Sequence, residues 1–127
     1  MHIFSNVIVT FIFVSRIEYT LGPIKTAIIY FLSGISGNIF SALVNPNGIK
    51  AGASTSLYGM IGFMIGYLVI NWNGVDGVGA MMKCQIYCTL FVIFLFVLFF
   101  TPATSSGIDY YGHLGGGLAG VWLSCIH

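Results

Sequence analysis

Charged residues are scarce in this sequence. Its 127 residues include four Lys or Arg and three Asp or Glu, and the formal net charge is +1. A soluble domain of this size could not cover its surface with so few charges. The positive residues stand singly at positions 16, 25, 50 and 83, so no basic stripe exists to bind nucleic acid. Because 57% of the residues are hydrophobic, we expect the chain to lie in a lipid bilayer.

Cysteines are also few, and none forms a Cys-x-x-Cys pair. The odd number argues against a disulfide framework, because Cys84, Cys88 and Cys125 cannot all pair within the chain. Cys84 and Cys88 share a helix face but lack further metal ligands nearby in the sequence. We therefore expect no metal and no cofactor, and we interpret the cysteines as packing residues in the membrane.

Apolar runs alternate with polar breaks along the whole chain. Each break carries a charge or the Gly, Pro, Asn and Ser residues typical of turns. The pattern predicts five transmembrane helices, of which the first and last are short: 2–15, 23–44, 54–71, 82–100 and 110–126. The expected fold is an all-α, polytopic membrane helix bundle that forms a single domain over residues 1–127.

The positive residues indicate an orientation. If the turns alternate between the two sides of the membrane, Arg16, Lys25 and Lys83 share one side, while Lys50 lies on the other. The positive-inside rule makes the first side cytoplasmic. The amino terminus and the starts of the third and fifth segments then lie together at the outer face.

Rare polar residues collect at that same level. Ser54 opens the third segment, His113 lies near the start of the fifth, and His2 and Asn6 open the first, four residues apart on one helix face. Polar residues in membrane spans are costly and usually mark function. These four side chains are therefore our candidates for a functional site.

Two of the segments carry a stripe of residues spaced four apart, which consists mostly of small residues. The third segment carries Ser54, Tyr58, Gly62 and Gly66, and the fifth carries Gly112, Gly116 and Gly120. In lipid, such stripes let two helices approach backbone to backbone. We predict that the third and fifth segments are in contact and bring His113 to Ser54.

A serine hydrogen-bonded to a histidine is a nucleophilic dyad, in which the histidine accepts the hydroxyl proton while the oxygen attacks a carbonyl. Tyr58, one turn after Ser54, is placed to orient the imidazole by stacking on it. The N–H of Ser54 at a helix start, together with His2 and Asn6, would stabilise the oxyanion. Small residues before the serine, such as Gly52, would let the substrate backbone come close.

Each of these residues also has a structural interpretation. A helical serine more often donates to a carbonyl one turn earlier in its own helix. His113 could be a packing residue, and His2 could be solvated. We expect Asp109 to be solvated in a loop outside the helix, and the glycine stripes to serve packing in either case.

Three motifs resemble those of the rhomboid intramembrane serine proteases. GASTSLYG at 52–59 resembles their nucleophile motif, GHLGGGLAG at 112–120 their histidine helix, and HIFSN at 2–6 their His-x-x-x-Asn motif. RIEYTLG at 16–22 stands where the family has a Glu and a Gly after its second helix. The resemblance implies a six-helix core of which this chain holds five, so that the expected domain is truncated at its amino terminus. Thr55 departs from the glycine that is commonest after the family's serine.

The resemblance also implies a role for each residue. Ser54 would be the nucleophile and His113 the base; His2, Asn6 and the Ser54 N–H would bind the oxyanion; Tyr58 would stack on the histidine; Gly116 and Gly120 would pack closely. The implied reaction is hydrolysis of a peptide bond in or near a transmembrane helix of a membrane-protein substrate. We expect a multi-pass integral membrane protein, and the orientation inferred above places its site toward the non-cytoplasmic face. The sequence does not fix the compartment; the secretory pathway and the plasma membrane are favoured.

Two other functions remain open. A catalytically inactive rhomboid-like protein would bind transmembrane clients without cleaving them. A small channel or transporter subunit would carry polar residues throughout the bilayer depth. The polar residues of the second segment fit that pattern or simple packing: Ser33, Ser36, Asn38 and Ser41.

Overall fold

A computed structural model of the chain describes residues 7, 11, 14, 15, 17–47, 52–71 and 109–127. Three α-helices lie wholly in these ranges: α1 at Pro23–Val44, α2 at Ala53–Ile70 and α3 at Tyr110–Cys125. Residues 17–21 belong to a further helical segment. The limits of α1, α2 and α3 agree with the second, third and fifth predicted segments to within one residue, and no strand occurs in this part of the chain. Segment 82–100 and most of segment 2–15 lie outside the described residues, so the count of five helices stays a prediction.

Two of the helices are long and apolar enough to cross a membrane, judged by length and composition. They are α1, with 22 residues, and α2, with 18, whereas α3 has 16. All three belong to one compact unit of the chain, which comprises Met1–Ile70 and Asp109–His127. The expectation of an all-α membrane bundle therefore holds for the described residues.

Gly22 and Pro23 make the junction before α1. Residues 17–21 are helical, and the N–H of Gly22 donates to the carbonyl of Glu18 at 2.8 Å. Gly22 then has a φ of 83°, a left-handed conformation that glycine adopts without a Cβ clash. Pro23 follows at the start of α1, where its missing N–H leaves no helical hydrogen bond unmade. One helical segment thus ends and the next begins within two residues.

Large apolar side chains lie mostly on the outside of this unit. The buried apolar cluster is small and consists of Ile17, Ile29, Met60 and Phe63. The exposed surface of α1 carries many more: Ile24, Ile28, Phe31, Leu32, Ile35, Ile39 and Leu43. Among the described residues, the buried polar side chains all carry small hydroxyl groups: Thr26, Ser33, Ser41, Thr55, Ser56 and Ser124. Small residues inside and large apolar residues outside are typical of helices that pack in lipid.

Helices α2 and α3 approach each other backbone to backbone. A Cβ built at Gly120 would overlap the carbonyl oxygen of Gly59 and lie 2.8 Å from the nitrogen of Phe63. A Cβ at Gly62 would overlap the carbonyl oxygen of Gly117. Any side chain at these glycines would push the two helices apart, so the predicted stripes lie at this contact.

Helix α1 packs against both partners through further small residues. A Cβ at Gly34 would overlap the hydroxyl of Ser56 on α2. A Cβ at Gly37 would lie 2.6 Å from the carbonyl oxygen of Gly112 and 2.7 Å from the nitrogen of Gly116, both on α3. The three helices therefore meet near Gly37, at the end of the unit where α2 and α3 begin.

Gly120→Ala tests the contact between α2 and α3. We expect it to lower the free energy of unfolding by about 1–3 kcal/mol, because the new methyl group overlaps the backbone of α2. The measurement is an unfolding titration with a denaturing detergent, followed by circular dichroism. Gly117→Ala is the matched control, since its Cβ would lie 3.7 Å from the nearest atom, the carbonyl oxygen of Tyr58. Equal destabilisation by both variants would contradict this packing.

Candidate active site

Ser54 lies at the start of α2, as its second residue, and is half-buried. The first turn is closed by a hydrogen bond from the N–H of Thr55 to the carbonyl of Gly52 at 3.2 Å. The first N–H groups of a helix have no partner within the helix, and they carry the positive end of its dipole. The Ser54 hydroxyl therefore stands beside backbone donors suited to a negative charge.

His113 lies in the first turn of α3 and reaches Ser54. Its Nε2 is 2.9 Å from the Ser54 Oγ, across two helices and 59 positions of sequence. The imidazole is half-buried. A neutral imidazole nitrogen at this distance can accept the hydroxyl proton.

Two buried serines, Ser33 and Ser124, bond differently from Ser54. The hydroxyl of Ser33 donates to the carbonyl of Ile29 at 2.6 Å, and that of Ser124 donates to Val121 at 2.6 Å. Both bonds stay within one helix, the common arrangement for a helical serine. Ser54 instead contacts a side chain on another helix, and its partner is an imidazole nitrogen that can accept the hydroxyl proton, which favours the functional interpretation over the structural one.

Tyr58 stacks on His113. The ring centroids lie 4.3 Å apart and the planes are inclined by 14°. Tyr58 follows Ser54 by one helical turn, so both contacts to the imidazole come from the same face of α2. The stack restricts rotation of the ring and leaves Nε2 directed at the hydroxyl.

Thr55, next to the serine, is almost fully buried, with 1% of its surface exposed. A Cβ at Gly37 would overlap its Cγ2, and a Cβ at Gly116 would lie 3.2 Å from the same methyl group. The residue that departs from the commonest motif thus fills the junction of the three helices. Thr55 can be buried only because Gly37 on α1 and Gly116 on α3 lie against it. No motif near Ser54 indicates this arrangement.

The expectation that Asp109 is solvated is wrong. Asp109 is half-buried and is the N-cap of α3, where its Oδ1 accepts from the N–H of Gly112 at 2.9 Å. The same oxygen accepts from the hydroxyl of Ser41 on α1 at 2.6 Å. An aspartate three residues before the glycine, at a helix start, was a recognisable capping signal. Its bond to Ser41 had no sequence signal.

The remaining predicted residues fall into two groups. His2, Asn6, Cys84 and Cys88 lie outside the described residues, so the oxyanion roles of His2 and Asn6 stay predictions. Gly52 is exposed, and a Cβ there would lie 3.3 Å from the Ser54 hydroxyl. Across the described ranges, no three His, Cys, Asp or Glu side chains come close enough to hold a metal ion.

Comparison with known proteins relates the chain to one family. A family model described as the Rhomboid domain matches residues 1–127. Rhomboid-like protease 3 of Toxoplasma gondii is 33% identical over 127 residues, which are 100% of this chain and 46% of the relative. RHOMBOID-like protein 6, mitochondrial, of Arabidopsis thaliana is 31% identical over 126 residues, 99% of this chain and 39% of the relative.

A protein named Inactive RHOMBOID-like protein 8, also of Arabidopsis thaliana, is 34% identical over 118 residues, 91% of this chain and 31% of the relative. The chain spans less than half the length of these three relatives. No solved structure matches the chain.

Replacement of Tyr58 tests the stack on His113. Protons above an aromatic ring resonate upfield, so we expect the imidazole protons of His113 to shift downfield in Tyr58→Leu, which has no ring. Tyr58→Phe keeps the ring and should keep the upfield position. Proton NMR of the protein in micelles measures the shift, and His113→Ala assigns the signals. Identical imidazole shifts in Tyr58→Leu and the unchanged protein would contradict the stacked geometry.

Proposed function

The chain belongs to the rhomboid family, and from this premise we propose that it is an intramembrane serine endopeptidase. Ser54 is the nucleophile and His113 is the general base. The substrate is a membrane protein, cleaved at a peptide bond in or near a transmembrane helix. The observation that carries the proposal is the 2.9 Å contact between the Ser54 Oγ and the His113 Nε2.

The reaction follows the usual course of a serine hydrolase. The Ser54 oxygen forms a bond to the carbonyl carbon as its proton moves to Nε2 of His113. The tetrahedral intermediate collapses, the C–N bond breaks, and His113 gives the proton to the leaving amine. A water molecule then attacks the acyl-enzyme, and His113 accepts the water proton and returns one to the Ser54 oxygen.

A third acidic residue is not required in this scheme. In triads, the acid holds the imidazole in its working orientation and tautomer. Here the stack with Tyr58 restricts the orientation of the His113 imidazole. The backbone of His113 is held in the first turn of α3. Tyr58 is therefore proposed as the residue that orients the base.

The oxyanion forms next to the start of α2. We assign the Ser54 N–H as one donor, because that group lies in the first turn of the helix, where N–H groups have no helical partner. Side-chain donors from His2 and Asn6 complete the proposed oxyanion hole. The glycine at position 52 leaves the approach to the serine open for a substrate backbone.

The site faces the non-cytoplasmic side in this proposal. Ser54 and His113 lie in the first turns of α2 and α3, and these turns are brought to one level by the contact between them. The distribution of Arg16, Lys25 and Lys83 against Lys50 assigns that level to the outer half of the membrane. Apolar side chains on the outer surface of α1 are covered by the bilayer.

A rhomboid-like protein that binds clients without cleaving them is the second candidate. The similarity to a relative named inactive favours it. The two candidates differ in one property: whether the Ser54 hydroxyl is chemically activated.

The test is covalent labelling with a fluorophosphonate probe, in lipid nanodiscs. We expect labelling of the unchanged chain, none in Ser54→Ala, and a rate lowered by on the order of a hundredfold or more in His113→Ala, because the general base is lost. Ser56→Ala is the matched control: it removes a buried hydroxyl two residues along the same helix and should label at the unchanged rate.

Failure of the unchanged chain to react while it remains folded would contradict the protease. Binding of a transmembrane peptide by that unreactive protein would establish the second candidate instead.

A further inference from the structure

Asp109 joins two helices through one carboxylate oxygen. Its Oδ1 accepts from the N–H of Gly112, at the start of α3, and from the hydroxyl of Ser41, in the last turn of α1. Ser41 has 5% of its surface exposed. We call this pair of residues the Ser41–Asp109 clip. It is a charge-assisted contact between residues 68 positions apart.

The clip acts on the turn that carries His113. The N–H of His113 donates to the carbonyl of Asp109 at 3.1 Å, so both the backbone and the side chain of Asp109 hold the first turn of α3. The hydroxyl of Ser41 connects Asp109 to α1. The position of the imidazole is therefore tied to α1 as well as to α2.

The contact between α2 and α3 does not by itself lock their relative position along the helix axes. Its facing residues are largely glycines, including Gly59, Gly62, Gly117 and Gly120, which permit close approach but present no side chains that interlock. Dispersion is non-directional, whereas a hydrogen bond at 2.6 Å is directional. The clip adds a directional contact from α1 to the end of α3 where His113 lies, beside the Ser54–His113 contact from α2.

The second oxygen of Asp109 lies beside Gly112. Oδ2 is buried and has no hydrogen-bond partner among the described residues. Gly112 leaves room for it, because a Cβ at that position would lie 2.8 Å from the Asp109 Cγ.

We propose that Asp109 is a positioning residue for the general base: with Ser41 it fixes the first turn of α3 so that Nε2 of His113 meets the Ser54 hydroxyl. This inference rests on the proposed serine endopeptidase. Asp109 does not touch the imidazole as a third triad member would; it acts through the backbone of the turn.

The experiment compares fluorophosphonate labelling rates in nanodiscs. Asp109→Ala should slow labelling of Ser54 by about 10- to 100-fold, since a misplacement of about 1 Å at a reacting group can cost a hundredfold. Asp109→Asn keeps an oxygen that accepts both hydrogen bonds and should retain most of the rate. Ser41→Ala should slow labelling less than Asp109→Ala, and should have no further effect when combined with it.

Two controls separate positioning from general stability. Ile29→Ala removes a buried side chain on α1 far along the helix from Ser41 and should lower the unfolding midpoint without slowing labelling at temperatures where it is folded. Ser33→Ala removes a buried hydroxyl from the same helix and should label at the unchanged rate. Equal rates for Asp109→Ala and the unchanged chain, or equal slowing by Ile29→Ala, would overturn the inference.

A second readout does not depend on hydrolysis. The ¹⁵N resonances of the His113 imidazole, assigned with His113→Ala, report its hydrogen bond to Ser54. They should move in Asp109→Ala and stay in place in Ile29→Ala. If the unchanged chain is not labelled, the proposed function fails, and the resonances still decide: movement in Asp109→Ala alone supports the positioning role, and no movement overturns it.

Discussion

The close approach of α2 and α3 is the constraint on which the rest of the structure depends. Helices commonly pack with their axes 8–10 Å apart, a distance set by the side chains between them. A serine hydroxyl reaches only one bond beyond its Cβ, so the partner on the other helix must come near. Glycines at the crossing, such as Gly62 and Gly120, remove the side chains that would separate the backbones. The 2.9 Å contact between Ser54 and His113 is then within reach.

Lipid explains why the interior is built from small and polar residues. Hydrocarbon tails are as apolar as leucine, so burying a leucine between membrane helices gains little. Close backbone packing and hydrogen bonds must hold the helices together instead. In this chain the buried positions accordingly hold glycines and hydroxyl residues such as Ser33 and Thr55, while the exposed face of α1 is strongly apolar. Stability and site geometry therefore depend on the same atoms.

The helix limits and the Ser54–His113 pairing could be predicted because each corresponds to a recognisable sequence pattern. The length of each apolar run indicates a helix, and polar residues within such runs are rare enough to be recognised as candidate site residues. Tyr58 could be placed beside the imidazole because a spacing of four residues fixes a shared helix face.

The Ser41–Asp109 clip could not be predicted in the same way. Its two residues are separated by 68 positions, and each alone fits an ordinary role, a small packing serine and a solvated loop aspartate. Thr55 was similarly ambiguous, because its burial depends on the absence of side chains at Gly37 and Gly116. Such contacts depend on how the three helices are aligned along their axes. A stripe of glycines is compatible with several such alignments, so the sequence does not determine which residues meet.

The separation of Ser54 and His113 on different helices has a consequence for biosynthesis. A ribosome makes α2 before α3, and 59 positions divide the two residues. Until α3 is made and docks on α2, the Ser54 hydroxyl lacks the His113 imidazole beside it. In the proposed protease, the serine is therefore not activated before α3 is in place. Docking of α3 on α2 is thus the step that forms the Ser54–His113 contact.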